Sequence, residues 1–151
     1  SNIEVWSKDS WSQLVTIPGN QNHQARNIHW LEPAGHSEPY QNLLYTDQGK
    51  KRRLVTTGLN GYVMEWNLLE GTCKAKFNAN AAIWDSHMIN KKTMILACED
   101  GSIKLVKVKK DGIVLLKTMQ KMGHRCLSLA VMSDNVVFAG YADGSIRKWD
   151  V

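Results

Sequence analysis

The chain has 151 residues, 43% of them hydrophobic and 22% charged, with a formal net charge of +5. That is enough length to bury a core. No apolar run approaches the ~20 residues that a membrane-spanning helix requires, so no transmembrane segment is expected. Neither a charged leader nor an apolar stretch opens the chain, so no signal peptide is expected, and Ser1 in place of Met puts a native start outside this sequence.

Cys73, Cys98 and Cys126 make an odd number with no Cys-x-x-Cys pair, which indicates neither a disulfide framework nor a zinc site. Reduced thiols of an intracellular protein are the expectation. The modest excess of Lys and Arg permits attraction to RNA or to acidic proteins.

In chain order, four segments repeat: Ser1-Asn2-Ile3-Glu4-Val5-Trp6, Gly61-Tyr62-Val63-Met64-Glu65-Trp66, Gly101-Ser102-Ile103-Lys104-Leu105-Val106 and Gly144-Ser145-Ile146-Arg147-Lys148-Trp149. Their starts lie 60, 40 and 43 positions apart; the last two intervals match the ~40–45-residue period of a four-stranded propeller blade. Asn60, Asp100 and Asp143 precede the three glycines, and such Asn-Gly and Asp-Gly pairs supply the positive φ angles of a tight hairpin turn. Trp149-Asp150 is the WD dipeptide itself, with Trp66-Asn67 and Trp6-Ser7 as degenerate forms.

Around those turns the sequence predicts strands at 26–31, 54–59, 62–67 and 73–77, then at 82–88, 93–98, 102–108 and 113–119, then at 125–132, 135–142 and 145–151. Residues 73–77 alternate small or apolar side chains with lysines, as an outer strand wetted on one face does. Val136-Val137-Phe138-Ala139 is continuously apolar, as suits a strand between neighbouring blades. There is no helical periodicity. The long first interval places an inserted loop at 32–53, holding Pro33, Gly35, Pro39 and Gly49 and ending in Lys50, Lys51, Arg52 and Arg53, with a short strand possible at 43–46.

The fold class is therefore all-β, a partial WD-repeat β-propeller. Residues 1–17 end one blade, 23–78 form a blade with the 32–53 insertion, 79–119 form another, and 122–151 form an incomplete one. A propeller closes with ~4–8 blades, so these, about three, are a fragment of a larger propeller or complete their sheets by association; the fragment reading is the stronger.

In WD blades a His before the innermost strand, a Ser or Thr on the second, the turn Asp and the Trp form a buried hydrogen-bonded network that rigidifies the blade. His124, Asp143 and Trp149 supply three members, but the hydroxyl position falls on Ala139. His23, Thr56 and Trp66 supply three in another blade, with Asn60 for Asp; the middle blade has Asp100 but neither the Trp nor the hydroxyl.

Asp85-Ser86-His87 holds the residue types of a hydrolase triad, but alternation on a strand turns Ser86 away from Asp85 and His87, so no relay forms within the run. His23, His29, His36, His87 and His124 lack metal-ligand spacing, and no phosphate-binding Gly-rich loop is present. The expectation is no enzyme, no metal, no cofactor and no small-molecule substrate.

Lys50, Lys51, Arg52 and Arg53 form the candidate surface for RNA or an acidic partner, against the alternative of a solvated loop; Lys107, Lys109 and Lys110 form a second, weaker basic segment. Glu65 and Lys148 stand at a strand position that is apolar in the other repeats, either pairing with charges on adjoining blades or extending their stems to the rim. Trp6, Trp30, Trp66, Trp84 and Trp149 are expected in the core.

Several motifs recur in order in one known family. Asn2-Ile3-Glu4-Val5-Trp6 is similar to its first-blade N-I-E-[LIV]-W, and Val63-Met64-Glu65-Trp66-Asn67-Leu68 to its V-x-E-W-D-L. Ile83-Trp84, Cys98-Glu99-Asp100-Gly101-Ser102 and Arg125-Cys126-Leu127-Ser128-Leu129-Ala130 follow in matching order. Over essentially its whole length the chain resembles the cirhin family, the WD-repeat subunit of the UtpA group of the small-subunit processome. The resemblance implies a nucleolar scaffold that helps assemble the early particle on the 5′ external transcribed spacer of pre-ribosomal RNA. Its partners would be other UtpA subunits and processome proteins, with pre-ribosomal RNA contacted directly or through them. Members of that family carry two tandem propellers, so this segment would be about half of the first. Asn67 for Asp and the 32–53 insertion depart from the pattern, and no RNA-binding residue is carried over. The alternative is a WD-repeat adaptor of another complex, such as a ubiquitin-ligase substrate receptor or a chromatin module.

Overall fold

The computed structural model describes residues 2–7, 9–17, 25–31, 53–68, 70–133 and 136–151. They form thirteen strands and, among the described residues, no helix. In chain order these are β1 (Ile3–Trp6), β2 (Gln13–Ile17), β3 (Ala25–Leu31), β4 (Arg53–Gly58), β5 (Tyr62–Asn67), β6 (Thr72–Asn78), β7 (Ile83–Asn90), β8 (Thr93–Cys98), β9 (Ile103–Lys109), β10 (Gly112–Thr118), β11 (Cys126–Ser133), β12 (Val136–Tyr141) and β13 (Ile146–Asp150). Two four-stranded antiparallel meanders, β3 to β6 and β7 to β10, are flanked by the three-stranded β11–β12–β13 and the two-stranded β1–β2. The first strand of each meander lies nearest its neighbours: β7 sits beside β3 on one side and β11 on the other. This is a partial WD40 propeller.

Radial stacking explains the apolar runs. All six residues of β8 are buried because successive side chains enter opposite clefts. Met94, Leu96 and Cys98 join Val55 and Val63 of the preceding sheet, while Ile95 and Ala97 join Leu129, Val137 and Ala139 of the following one. A third cluster seats Ile3, Val5 and Ile17 on Leu54, Met64 and Trp66. Each fully buried Ile or Leu contributes about 1.5–3 kcal/mol. β12 is covered on one side alone, so Val137 and Ala139 are buried while Val136 and Phe138 are half-buried.

The β4–β5, β8–β9 and β12–β13 turns share one geometry, and it differs from the one the dipeptides suggested. Asn60, Asp100 and Asp143 do not have positive φ; Gly61, Gly101 and Gly144 do, at 80°, 80° and 84°. Each glycine amide donates three residues back, Gly61 to Gly58 O, Gly101 to Cys98 O and Gly144 to Tyr141 O, all at 3.0 Å. This is a three-residue loop ending in a left-handed bulge residue. The preceding Asx side chain caps the residue after the glycine: Tyr62 N donates to Asn60 Oδ1 at 3.1 Å, Ser102 N to Asp100 Oδ1 at 3.1 Å and Ser145 N to Asp143 Oδ1 at 3.0 Å.

Candidate functional site

The four-member WD network is spread unevenly over the blades. In the β3–β6 sheet, the Trp66 indole N–H donates to Thr56 Oγ1 at 2.9 Å, a buried bond; His23 lies outside the described residues. In the β7–β10 sheet, Asp100 accepts from the Ser102 hydroxyl at 2.6 Å. Burial by itself would raise the Asp100 carboxyl, but those Ser102 bonds and the nearby lysines hold it below its ordinary value. In the last sheet, Asp143 is held low chiefly by the Ser145 hydroxyl and amide. His124 Nε2 stands 3.7 Å from Asp143 Oδ2, and its side chain is exposed. Trp149 Nε1 and the Tyr141 hydroxyl are both buried without a partner of full hydrogen-bond geometry; the place of Thr56 is taken by Ala139, and the indole lies near the tyrosine hydroxyl instead. The described blades thus use pieces of the network.

Polar contacts concentrate instead on the innermost strands. Asp85 joins three sheets: Asn27 Nδ2 of β3 donates to Oδ1 at 3.0 Å, and the Leu129 amide of β11 donates to Oδ2 at 2.8 Å. Ser86, 1% exposed, shares a bond of 2.8 Å with Thr57 Oγ1 and another of 2.8 Å with His29 Nε2, and it accepts from Asn27 Nδ2 at 3.2 Å. Alternation does separate Ser86 from the Asp85–His87 side, where His87 Nε2 and Asp85 Oδ2 are 3.4 Å apart. A serine–histidine pair forms all the same, with His29 from the neighbouring sheet. The Ser86 hydroxyl is enclosed by three side chains and offers no face to a substrate; the cluster fastens blades. Burial, then the neighbouring His87, lowers the His29 pKa. Nothing local in the sequence signals these contacts, because the partners are 29 to 59 residues apart.

Arg53 departs from the basic run it ends. It opens β4, and its guanidinium grips Glu65 with two bonds of 2.7 Å while donating to the Lys109 carbonyl of the next sheet at 2.6 Å. Lys74 Nζ adds a third contact to Glu65 at 3.0 Å. Burial alone would raise the Glu65 carboxyl, but hydrogen bonds from Arg53 and Lys74 outweigh it and hold the group low. Glu65 therefore pairs within its own sheet, whereas Lys148 lies in the open, 3.8 Å from Asp150. Lys50, Lys51 and Arg52 lie outside the described residues.

Trp6 departs from the expected core position: the residue is 47% exposed, whereas Trp66 packs on β1–β2 and Trp149 on the middle sheet. Trp84 is half-buried and donates to Glu99; the Trp30 side chain lies outside the described set. Among the described residues no group of three or more His, Cys, Asp or Glu could hold a metal ion, and no helix is long and apolar enough to cross a membrane.

No protein-family model matches the chain. U3 small nucleolar RNA-associated protein 4 of Schizosaccharomyces pombe is 28% identical over 99% of this chain and 20% of its own length. The human U3 small nucleolar RNA-associated protein 4 homolog is 31% identical over 66% of this chain and 15% of its own length. The chain thus spans a fifth or less of these relatives. Among solved structures, the C-terminal WD40 domain of Sif2 matches 99% of this chain and 40% of its own with a TM-score of 0.73 at 13% identity. The WD40 propeller domain of Doa1 matches 93% of this chain and 40% of its own at 0.59 and 20%. These structural likenesses bear on the fold alone.

Proposed function

We propose that this chain is part of a non-catalytic WD-repeat scaffold of ribosome biogenesis, a member of the cirhin family in the UtpA group of the small-subunit processome. It helps assemble that particle on pre-ribosomal RNA in the nucleolus, and so serves pre-18S rRNA processing. The observation that carries the reading is similarity to a U3 small nucleolar RNA-associated protein along 99% of the chain, in step with the ordered motifs from Asn2-Ile3-Glu4-Val5-Trp6 to Arg125-Cys126-Leu127-Ser128. The rigid stacked blades, with their polar groups spent on holding sheets together, support a docking role. In this reading residues 1–17 end one blade, 23–78 and 79–119 are whole blades, and 122–151 begin one that further chain completes. That agrees with the exposure of Met132 and Ile146, 75% and 76%, on the uncovered side of the last sheet.

The test is affinity purification of the tagged full-length protein with its crosslinked RNA. Enrichment of processome subunits and of the pre-ribosomal 5′ spacer is expected. Recovery of ubiquitin-ligase or chromatin subunits without them would replace this reading with that of an adaptor elsewhere.

A further inference from the structure

The middle blade has two rims of different electrostatic character. At one rim the acids of the β8–β9 turn meet cations: Glu99 lies 3.4 Å from Arg125 Nε and Asp100 lies 3.7 Å from Lys121 Nζ. At the opposite rim, the β7–β8 turn carries Lys91 and Lys92 and the β9–β10 turn carries Lys109 and Lys110, all exposed. The Val108 amide donates to the Lys92 carbonyl at 2.8 Å, so the two turns are tied side by side. Arg53 then fixes the Lys109 carbonyl from the adjacent sheet at 2.6 Å. Among the described residues these four ammonium groups have no ion-pair partner, and Asp111 is the acid on the same turns.

Like charges on turns tied side by side repel, and a bound polyanion relieves the repulsion. The two turns, 90–93 and 109–112, carry no exposed large hydrophobic side chain. A peptide partner generally needs such an anchor, whereas a phosphodiester backbone is bound by point charges alone. We propose that Lys91, Lys92, Lys109 and Lys110 form a docking edge for the RNA phosphate backbone, sequence-tolerant in itself and held in register by Arg53 as a positioning residue. The proposal rests on the ribosome-biogenesis reading and adds a surface to it.

The test titrates the full-length protein with a fluorescein-labelled single-stranded RNA of mixed sequence at several salt concentrations. Each lysine that neutralises a phosphate contributes ~0.7 to the slope of log affinity against log salt. Replacing all four lysines by Gln should flatten that slope by about 3 and weaken binding roughly 100- to 1,000-fold near 0.1 M salt. The Lys121→Ala, Arg125→Ala pair on the opposite rim should bind as the parent does. An unchanged slope in the quadruple variant overturns the proposal. So does a parent protein that binds polyglutamate as tightly as RNA, which would point to an acidic protein. These exposed positions predict an unchanged thermal midpoint; should the quadruple variant misfold, Lys91→Gln with Lys92→Gln alone must still flatten the slope by about half as much. Co-purification of processome subunits with the quadruple variant is read separately, so loss of this edge and loss of the wider reading are distinguishable.

Discussion

Trp66 and Thr56 are joined by a buried bond of 2.9 Å across two adjacent strands, and the same places two sheets further on hold Trp149 and Ala139. Register makes the equivalence explicit, since Leu54 faces Trp66 and Val137 faces Trp149, with Thr56 and Ala139 each two residues along. Thr56→Val keeps the volume but removes this acceptor from the Trp66 indole, and should cost about 1–2 kcal/mol. Ala139→Ser offers Trp149 the missing acceptor and should return about 0.5–1 kcal/mol. Thermal or urea unfolding measures both, and the Trp149 indole proton should shift downfield in the Ser variant. A destabilised Ala139→Ser with an unmoved indole resonance would show that the ring is satisfied in another way.

Gly101 and Gly71 separate two costs that usually come together. Their φ angles are 80° and 65°, so alanine meets similar left-handed strain at either, about 1–2 kcal/mol. A Cβ at Gly71 would meet Thr16 O at 3.7 Å, an ordinary contact, whereas one at Gly101 would overlap the backbone carbonyls of Met122 and His124. Gly101→Ala should therefore cost about 1–3 kcal/mol more than Gly71→Ala, the cost of overpacking against backbone that yields less than a side-chain end. Equal losses in denaturant unfolding would show that the 119–125 connection moves aside.

Much of this architecture was legible because its determinants are local. The Asn60-Gly61, Asp100-Gly101 and Asp143-Gly144 pairs mark the middle hairpin of each sheet, and the apolar run from Val136 to Ala139 marks a stacked strand. What was not legible depends on the third dimension. Asp85 finds Leu129 44 positions away, and nothing in Asp85-Ser86-His87 announces a fastener between blades. Arg53 read as the last cation of a candidate surface for RNA or an acidic partner, yet the strand starts there and carries its guanidinium to a buried carboxylate. Trp6 read as core because its repeat partners are; whether an indole is covered depends on a neighbouring sheet that strand periodicity does not reveal.

Glu65 makes Arg53 a stability determinant as well as a rim residue. The carboxylate is 1% exposed and the guanidinium 25% exposed, so truncating the cation leaves a buried charge with Lys74 alone. Arg53→Ala should cost about 3 kcal/mol. Glu65→Leu, which removes the charge and fills similar space, should cost less, because an apolar replacement avoids desolvating the acid. Chemical denaturation of the two variants gives the order. If Glu65→Leu is the more damaging, the pair contributes net stabilisation and the desolvation argument fails.

The pH dependence of stability should fall in two windows with different owners. His29 is a base whose pKa is lowered in the folded protein by burial and by His87, partly offset by Asp85 and the Ser86 backbone. The unfolded chain then takes up its proton first, near the ordinary value of about 6.5. Stability should be full above that value and decline as pH falls through it toward the folded pKa. Glu65, Asp100 and Asp143 are acids held low, so their contribution is present above the ordinary carboxylate range and lost as pH falls below it. His29→Gln keeps a hydrogen-bonding group beside Ser86 while removing the titration, and should abolish the decline in the upper window alone. Midpoints measured from pH 7 downward decide this: a variant that still loses stability near neutrality would show that His29 does not own that window.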